Sequence, residues 1–236
     1  YPEFPEKDGD AYQLSLESLK KIDGLVGFAA ALDQARLVLT TILLEPAENG
    51  AKAVATDGFR LAVLQIPELQ ALPNPILIPA KALSEVSRLA DQQSQVSVDC
   101  SFSESLKQVF FRVGQTNVYA RMVDGDFPPY QKILPSVFTT QVTIDTDELS
   151  QHLKQAAIFA RDVSHIVQFT FIAETQQLLI SAKGSLGSYE STMSLESIEQ
   201  DGASNEEPVS IAFNVKYVQD FLQAQKSDQI WFGMSE

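Results

Sequence analysis

The residues able to do acid–base, nucleophilic or metal chemistry are few. Histidine occurs twice, at His152 and His165, and cysteine once, at Cys100. Neither histidine stands in a Glu-x-x-His or His-x-x-x-His spacing, so neither forms half of a helical metal site. His152 flanks the apolar face of a helix, and both histidines read as structural or surface residues. Cys100 sits in an apolar strand without the neighbouring base that an activated thiol needs. No Gly-x-Gly-x-x-Gly, Walker A or Gly-x-Ser-x-Gly stretch occurs. Catalysis would have to come from scattered carboxylates such as Asp57, Asp124 and Asp126, each beside a glycine, where turn formation is the simpler reading. A hydrolase built on Asp57 and Asp124 would need them within about 10 Å across a cleft. The residues give it no positive support, so no enzymatic activity, metal or cofactor is expected.

Two stretches combine charge, aromatic residues and turn chemistry. In Ala55-Thr56-Asp57-Gly58-Phe59-Arg60-Leu61-Ala62, an Asp-Gly pair joins two strand patterns through a tight hairpin turn and leaves Phe59 and Leu61 beside a cation. In Asp124-Gly125-Asp126-Phe127-Pro128-Pro129-Tyr130, followed by Leu134-Pro135, three prolines stiffen a connector. Taken singly, the first is an ordinary hairpin and the second an ordinary linker.

The elements that position these stretches follow from periodicity. A first helix is expected over 15–30, capped by Ser15, with Leu19, Ile22, Leu25, Val26 and Ala29 inward. A second, over 79–91, starts at Pro79 and buries Leu83, Val86 and Leu89. A third, over 145–163, opens on an Asp145/Glu148 capping box and buries Leu149, Leu153, Ala156 and Ala160. A fourth, over 214–226, is capped by Asn214, with Phe213 stapled onto Val218 and with Phe221 and Leu222 inward. Strands are expected at 36–44, 51–56, 60–66, 95–100, 108–113 and 117–123, then at 141–144, 167–172, 177–182, 189–195, 209–213 and 229–232. At an offset of about 130, Leu14, Leu19 and Phe28 align with Ile144, Leu149 and Ile158, a weak internal duplication. At about 135, Ile78, Lys81 and Leu83 align with Phe213, Lys216 and Val218. The expected architecture is α+β, a strand–helix–three-strand unit used repeatedly, with helices on one face and antiparallel sheet on the other.

The 236 residues suffice for one large or two medium domains. The expected division is a linker at 1–10, a domain at 11–128 and a second at 129–236. No apolar run approaches the ~20 residues of a membrane span. One cysteine excludes an intrachain disulfide framework, no signal-type apolar region opens the chain, and a reducing cytoplasm is the expected compartment. A balance of 17 Lys+Arg against 31 Asp+Glu gives −14, which speaks against non-specific nucleic-acid binding by the surface as a whole. The distribution is uneven, because the four expected helices together carry only −1 of it. Lys20, Lys21, Lys81, Arg88, Lys154, Arg161 and Lys216 lie on their outer faces.

Both singled-out stretches resemble hallmarks of the bacterial DNA polymerase III β-subunit family, the sliding clamps. The family hairpin reads Ala-Thr-Asp-Gly-(His/Tyr/Phe)-Arg-Leu-Ala, found here at 55–62. The family connector reads Asp-Gly-x-Phe-Pro-x-Tyr-x-x-(Val/Ile)-(Leu/Ile)-Pro, found here at 124–135. Ile78-Pro79-Ala80-Lys81 and Phe213-Asn214-Val215-Lys216-Tyr217 add two further matches in the same order. The resemblance implies a DNA clamp fold and the middle domain plus most of the third domain of a three-domain subunit, truncated at its C-terminus. It implies a non-catalytic processivity factor of DNA replication, whose full-length homodimer forms a ring around duplex DNA without sequence readout, with those seven helix cations facing the hole. The implied partners are the replicative polymerase subunit, the clamp loader, and other DNA polymerases and repair proteins carrying clamp-binding motifs. These would dock in a peptide-binding groove comprising Leu39, Thr56, Gly58, Phe59, Arg60 and Leu61, then Pro128, Lys132 and Ile133, then Asn214 and Tyr217. Two positions depart from the family. Lys132 stands where Arg is common, losing a bidentate donor, and Val163 or Ser164 stands where an aromatic often closes the groove. Without the remaining tail, weaker groove binding is expected, and without the first domain a monomer or weak non-ring association. The alternative reading is an adaptor of the same fold that binds peptides and never encircles DNA.

Overall fold

The computed structural model describes residues 11–70, 72–162, 164–185, 187–200 and 208–235. The linker expected at 1–10 and Val163 lie outside them. The chain forms two compact units, Tyr1–Tyr130 and Gln131–Glu236.

In the first unit the order is β1 (Ala11–Ser15), α1 (Leu16–Leu25), β2 (Thr41–Ala47), β3 (Gly50–Thr56), β4 (Leu61–Ile66), β5 (Ile76–Pro79), α2 (Ala80–Gln92), β6 (Ser97–Ser103), β7 (Gln108–Val113) and β8 (Thr116–Arg121). This is a strand–helix–three-strand motif used twice. The pairing is crossed: β1 joins the later meander as β1-β6-β7-β8, and β5 joins the earlier one as β4-β3-β2-β5. All pairs are antiparallel, with registers such as Leu14↔Val98 and Ile42↔Ile78. Alternation along the strands puts Ile42, Leu44, Ala53, Ala55, Ile76 and Ile78 on the face that meets Leu19, Ile22, Leu83 and Val86 from the helices. The opposite face carries Leu43, Val54 and Leu77, which form a second small core with Tyr130.

The second unit repeats the scheme with β9 (Thr140–Asp145), α3 (Thr146–Ala160), β10 (Ile166–Ile172), β11 (Gln177–Gly184), β12 (Gly187–Ser194), β13 (Ser197–Gln200), β14 (Val209–Asn214), α4 (Val215–Ala224) and β15 (Gln229–Met234). Its sheets run β12-β11-β10-β14 and β13-β9-β15. The crossing recurs, with β14 on β10 and β9 on β15. Phe169 sits at the centre of its core, with edge-on contacts to Phe213 at 5.3 Å and Phe171 at 6.2 Å between ring centroids.

The helix starts follow the expected caps. Ser15 Oγ accepts from Ser18 N at 3.0 Å, Asp145 Oδ1 from Glu148 N at 2.8 Å, and Asn214 Oδ1 from Lys216 N at 3.0 Å. The ends do not. The first helix stops at Leu25 instead of residue 30, because the chain leaves helical geometry at Val26 (φ −123°) and tightens into a 3-10 turn at Gly27–Ala29. The strand expected over 36–44 is divided: Gln34–Thr40 is 3-10 helical and only Thr41 onward is strand. Asp33 caps that turn through Ala35 N, and the Thr40 and Thr41 hydroxyls donate to the carbonyls of Leu37 and Val38 at 2.7 and 2.6 Å. Local side-chain bonds thereby replace a sheet ladder despite the apolar pattern. Phe221, expected inward, is 42% exposed, because Val215 and Leu222, one heptad apart, form the buried stripe of α4. β13 was not foreseen.

Truncating Phe169 to alanine removes one of the two fully buried phenylalanines of the second unit's core. The expected cost is about 3–5 kcal/mol of unfolding free energy, read from urea denaturation followed by the fluorescence of Trp231, the only tryptophan. A loss below about 1 kcal/mol would contradict the packing described.

Candidate functional site: an ordered loop at the end of β3

The turn between β3 and β4 is organised by the carboxylate of Asp57. Its Oδ1 accepts from the backbone N–H groups of Phe59 and Arg60 at 2.9 and 3.0 Å, and its Oδ2 accepts from Arg60 Nε at 3.0 Å. Thr56 Oγ1 accepts from Gly58 N at 3.0 Å and donates to Arg60 O at 2.6 Å. The ladder closes at Thr56↔Leu61, so the connection has four residues and not the two of an Asp-Gly turn. Only Gly58, at φ +95°, needs the left-handed region. The guanidinium of Arg60 is further fixed over the ring of Phe28, 5.4 Å from its centroid. A loop held by these five hydrogen bonds therefore presents Phe59, 81% exposed, to solvent. Leu61 beside it is half-buried, and Leu39 and Thr56 are buried.

The connector contributes more than a spacer. Val123 N donates to Leu77 O at 3.0 Å, Tyr130 N to Pro128 O at 2.7 Å, and the buried Tyr130 hydroxyl to the Glu45 carboxylate. Phe127, Val123, Val38 and Leu61 pack around the Leu43–Val54–Leu77–Tyr130 core. Residues 123–130, read singly as a linker, are thus part of the first unit's sheet packing, and the exposed Pro128 stands on them. Gly125 (φ +141°) lies against Val38, where a Cβ would come within 2.8 Å of Val38 Cγ2.

In the second unit, Asn214 caps α4 and Tyr217 lines an apolar cleft of about 180 Å³ with Leu149, Phe169, Val218, Ile230 and Phe232 among its walls. Lys132 and Ile133 are exposed, Ile133 to 71%. Within the first unit the structure gathers Thr56, Gly58, Phe59, Arg60 and Leu61 on one loop. Sequence reading missed the two groups that hold that loop, Asp57 as acceptor and Phe28 beneath Arg60. An Asx-turn preference at Asp57 was the available signal; nothing in the sequence pointed to Phe28.

The helix cations divide into two sets. Lys20 pairs with Asp91 at 2.6 Å, Lys21 with Glu17 at 2.6 Å, and Arg88 Nε reaches Glu85 at 2.9 Å. The hydrogen bond from Lys21 holds the Glu17 carboxyl below its ordinary pKa, and Arg88 does the same to Glu85, whose hydrogen bond in turn raises Arg88. Lys81, Lys154, Arg161 and Lys216 are exposed and in no ion pair among the described residues.

The chemically reactive groups are engaged in the fold. Asp57 is paired with Arg60, and Asp124 with Lys107 at 3.3 Å. His152 Nδ1 lies 2.9 Å from the Tyr189 hydroxyl, and His165 at φ +58° bonds through its backbone to Ala160 and Val215. Burial pushes the Cys100 thiol up to about 12, with Asp99 adding to the shift. Among the described residues no three His, Cys, Asp or Glu side chains are grouped to hold a metal ion, and no helix is long and apolar enough to cross a membrane.

Paired α+β units, each with crossed strand–helix motifs that keep helices on one face of antiparallel sheets, define the class as clamp-type domains. The comparisons with known proteins agree. Residues 13–129 match the DNA polymerase III beta subunit, central domain, and residues 131–236 its C-terminal domain. The chain belongs to the DNA polymerase III β-subunit family. It is 29% identical over 252 residues to the beta sliding clamp of Synechocystis, covering 100% of this chain and 62% of that protein. To the Staphylococcus aureus beta sliding clamp it is 29% identical over 233 residues, covering 98% of this chain and 59% of the other. The chain thus spans about three-fifths of the length of these relatives. The β subunit of Pseudomonas aeruginosa superposes with a TM-score of 0.86 at 24% identity, over 100% of this chain and 62% of that one. That of Thermotoga maritima gives 0.85 at 26%, over 99% and 61%. A sliding clamp of Pseudomonas aeruginosa solved bound to griselimycin gives 0.82 at 24%, over 100% and 62%.

Two outcomes test the site's construction. Gly58→Ala is expected to cost about 1–3 kcal/mol through backbone strain alone, since the added Cβ would meet only Arg36 at ordinary contact distance; an unchanged thermal midpoint would contradict the loop geometry. The unfolded Cys100 thiol ionises near its ordinary value of 9.0, while the folded one stays protonated to about 12. The stability this contributes is fully present below pH 9 and is lost as pH rises from there towards 12. Cys100→Ser is expected to flatten that alkaline fall in stability measured by denaturant titration.

Proposed function

We propose that this chain is the part of a replication processivity factor that receives partner peptides, within a ring that encircles duplex DNA and acts in the cytoplasm. The observation that carries the reading is the ordered 56–61 loop: a preformed surface with an exposed aromatic, a flanking half-buried leucine and polar groups already fixed suits an extended peptide. Membership of the β-subunit family supports it, as does the printed description of the relatives as sliding clamps. In this reading Leu39, Thr56, Gly58, Phe59, Arg60, Leu61 and Pro128 form the first unit's share of the peptide site, and Lys132, Ile133, Asn214 and Tyr217 belong to the second unit's share. The partners are polymerase subunits, the clamp loader and repair proteins with clamp-binding motifs, and the whole protein is a homodimer. The chain has no catalytic role: its carboxylates and histidines hold structure. Exposed Lys81, Lys154, Arg161 and Lys216 supply loose, sequence-independent phosphate contacts that permit sliding.

A second reading, a peptide-binding adaptor of the same fold that does not encircle DNA, is favoured by one observation: Lys20, Lys21 and Arg88 are already paired with acids of the same two helices, which weakens their pull on phosphates. Retention of the assembled protein on circular duplex, lost on linearisation, decides for the ring; equal retention on both decides for the adaptor.

Griselimycin, to which a Pseudomonas aeruginosa sliding clamp was solved bound, is the probe taken for this site, and the double variant below tests that choice. Calorimetric titration of this chain is expected to show saturable binding that weakens at least tenfold, about 1.4 kcal/mol, in the Arg60→Ala, Leu61→Ala double variant. No binding, or binding untouched by the double substitution in a folded protein, would overturn the site assignment.

A further inference from the structure

A groove of about 760 Å³ opens in the first unit on the seam between its two sheets. Among the described residues β5 pairs only with β2, and β8 only with β7. The two free edges are tied by one backbone bond, Val123 N to Leu77 O at 3.0 Å, and both of those residues line the groove. It shares no lining residue with the 56–61 loop or with the rest of the first unit's peptide site.

Its apolar part is made of Ile76, Leu77 and Phe102, all buried, with the ring of Tyr12 tilted against Phe102 at 5.3 Å between centroids. Its polar part is a rim of three carboxylates, Glu104, Asp124 and Asp126, and one cation, Lys107. Lys107 is pinned. It sits at φ +52° between β6 and β7, its carbonyl accepts from Met122 N at 2.9 Å, and its ammonium lies 3.3 Å from Asp124. Glu104 accepts from the neutral amide of Asn74, and the exposed Asp126 is in no ion pair among the described residues. Three carboxylates against one ammonium leave the rim at −2.

A negative rim repels phosphate, which turns the groove away from nucleic acid. Carboxylates above an apolar, aromatic floor call for a cation with a flat and weakly hydrated body. A guanidinium answers this better than an ammonium, because it stacks on a ring while its donors fork onto a carboxylate. A groove of this volume holds a drug-sized ligand, so a short segment fills it and a lone side chain does not. We propose that the groove is a second docking site, which takes a segment of a basic partner protein in which arginine stands beside an aromatic or aliphatic residue. The inference goes beyond the peptide-site reading and does not depend on it, since the two surfaces have no residue in common. The guanidinium answers the uncompensated Glu104 and Asp126 while its apolar neighbour covers Phe102 and Tyr12. The net charge of −14 draws basic partners to the chain at large, and the rim gives that attraction a place.

The test uses three end-capped, dye-labelled peptides, Gly-Leu-X-Phe-Gly with X as arginine, lysine or citrulline, followed by fluorescence anisotropy. The arginine peptide is expected to bind about three- to fivefold more tightly than its neutral citrulline counterpart, as suits an exposed ion pair, with lysine between them. In the Glu104→Gln, Asp126→Asn double variant, whose thermal midpoint checks its fold, that ratio is expected to fall to about one. Excess griselimycin is expected to leave binding of the arginine peptide unchanged. Displacement by griselimycin would put the peptide beside the 56–61 loop and overturn this inference alone. Equal binding of the arginine and lysine peptides would reduce the effect to attraction by the whole chain and overturn it too, as would a preference that survives in the double variant. Benzamidine competing as tightly as the peptide binds would assign the groove to a small cation instead of a protein segment. Absence of arginine-peptide binding overturns the second site whatever griselimycin does, whereas failure of griselimycin alone, with the arginine preference intact, counts only against the peptide site.

Discussion

The crossed pairing of leading strands is the constraint on which the rest of the structure depends. β1 cannot complete its ladder until β6 exists, and β2, paired with β3 on one side, keeps its other edge open until β5 arrives. Neither strand–helix–three-strand motif can therefore close alone. Because each leading strand runs directly into a helix, β1 through the Ser15 cap and β5 through Pro79, the crossing also brings α1 beside α2 and puts both on the same face. The second unit obeys the same rule with β9 on β15 and β14 on β10. Two helices over paired sheets, with an outer sheet face left over, follow from that arrangement. The outer face carries the small Leu43–Val54–Leu77–Tyr130 core, against which Leu61 packs.

How much of this the sequence disclosed depended on whether period or local chemistry decided the outcome. Short strands with an apolar, β-branched or aromatic run, such as Gln108–Val113 and Gly50–Thr56, were legible from composition, and helices opened by Ser15, Asp145 and Asn214 because cap and period agreed. The stretch from Arg36 to Thr40 was not, since its apolar pattern reads as strand while two threonine hydroxyls and the Asp33 cap commit the backbone to a turn. Helix ends were less legible than starts: Val26 leaves the helix while remaining in the core, so its apolar position misled. For the loop itself, residue types identified the segment, but its four-residue closure depends on one carboxylate serving two amides and a guanidinium. The support of Phe28 beneath Arg60 joins residues 32 apart in the chain and has no signature of spacing.

The charge distribution takes its meaning from the same geometry. Counting helix residues gave a nearly neutral helix layer against a strongly acidic remainder. The structure refines this, because Asp91, Glu17 and Glu85 answer three of the cations on their own surface and leave others exposed. A helix face assembled from compensated and uncompensated cations has a softer field than its lysine count suggests. At the loop, one internal ion pair removes Asp57 and Arg60 from the balance. Net charge over the chain describes neither place.

The docking of Val123–Tyr130 onto the first unit's sheet has a mechanical side. Tyr130 is a buried side chain of that unit at the last residue before the second begins, anchored by its hydroxyl to Glu45 and by its ring to Leu43, Val54 and Leu77. Tension applied along the backbone at this point does not first stretch a slack tether. It loads an aromatic plug seated on the middle strands of a sheet, and behind it the single backbone bond from Val123 to Leu77. The prolines at 128 and 129 limit how far the chain on either side can pay out before that plug bears the force. The connector works as a stay on the first unit's sheet.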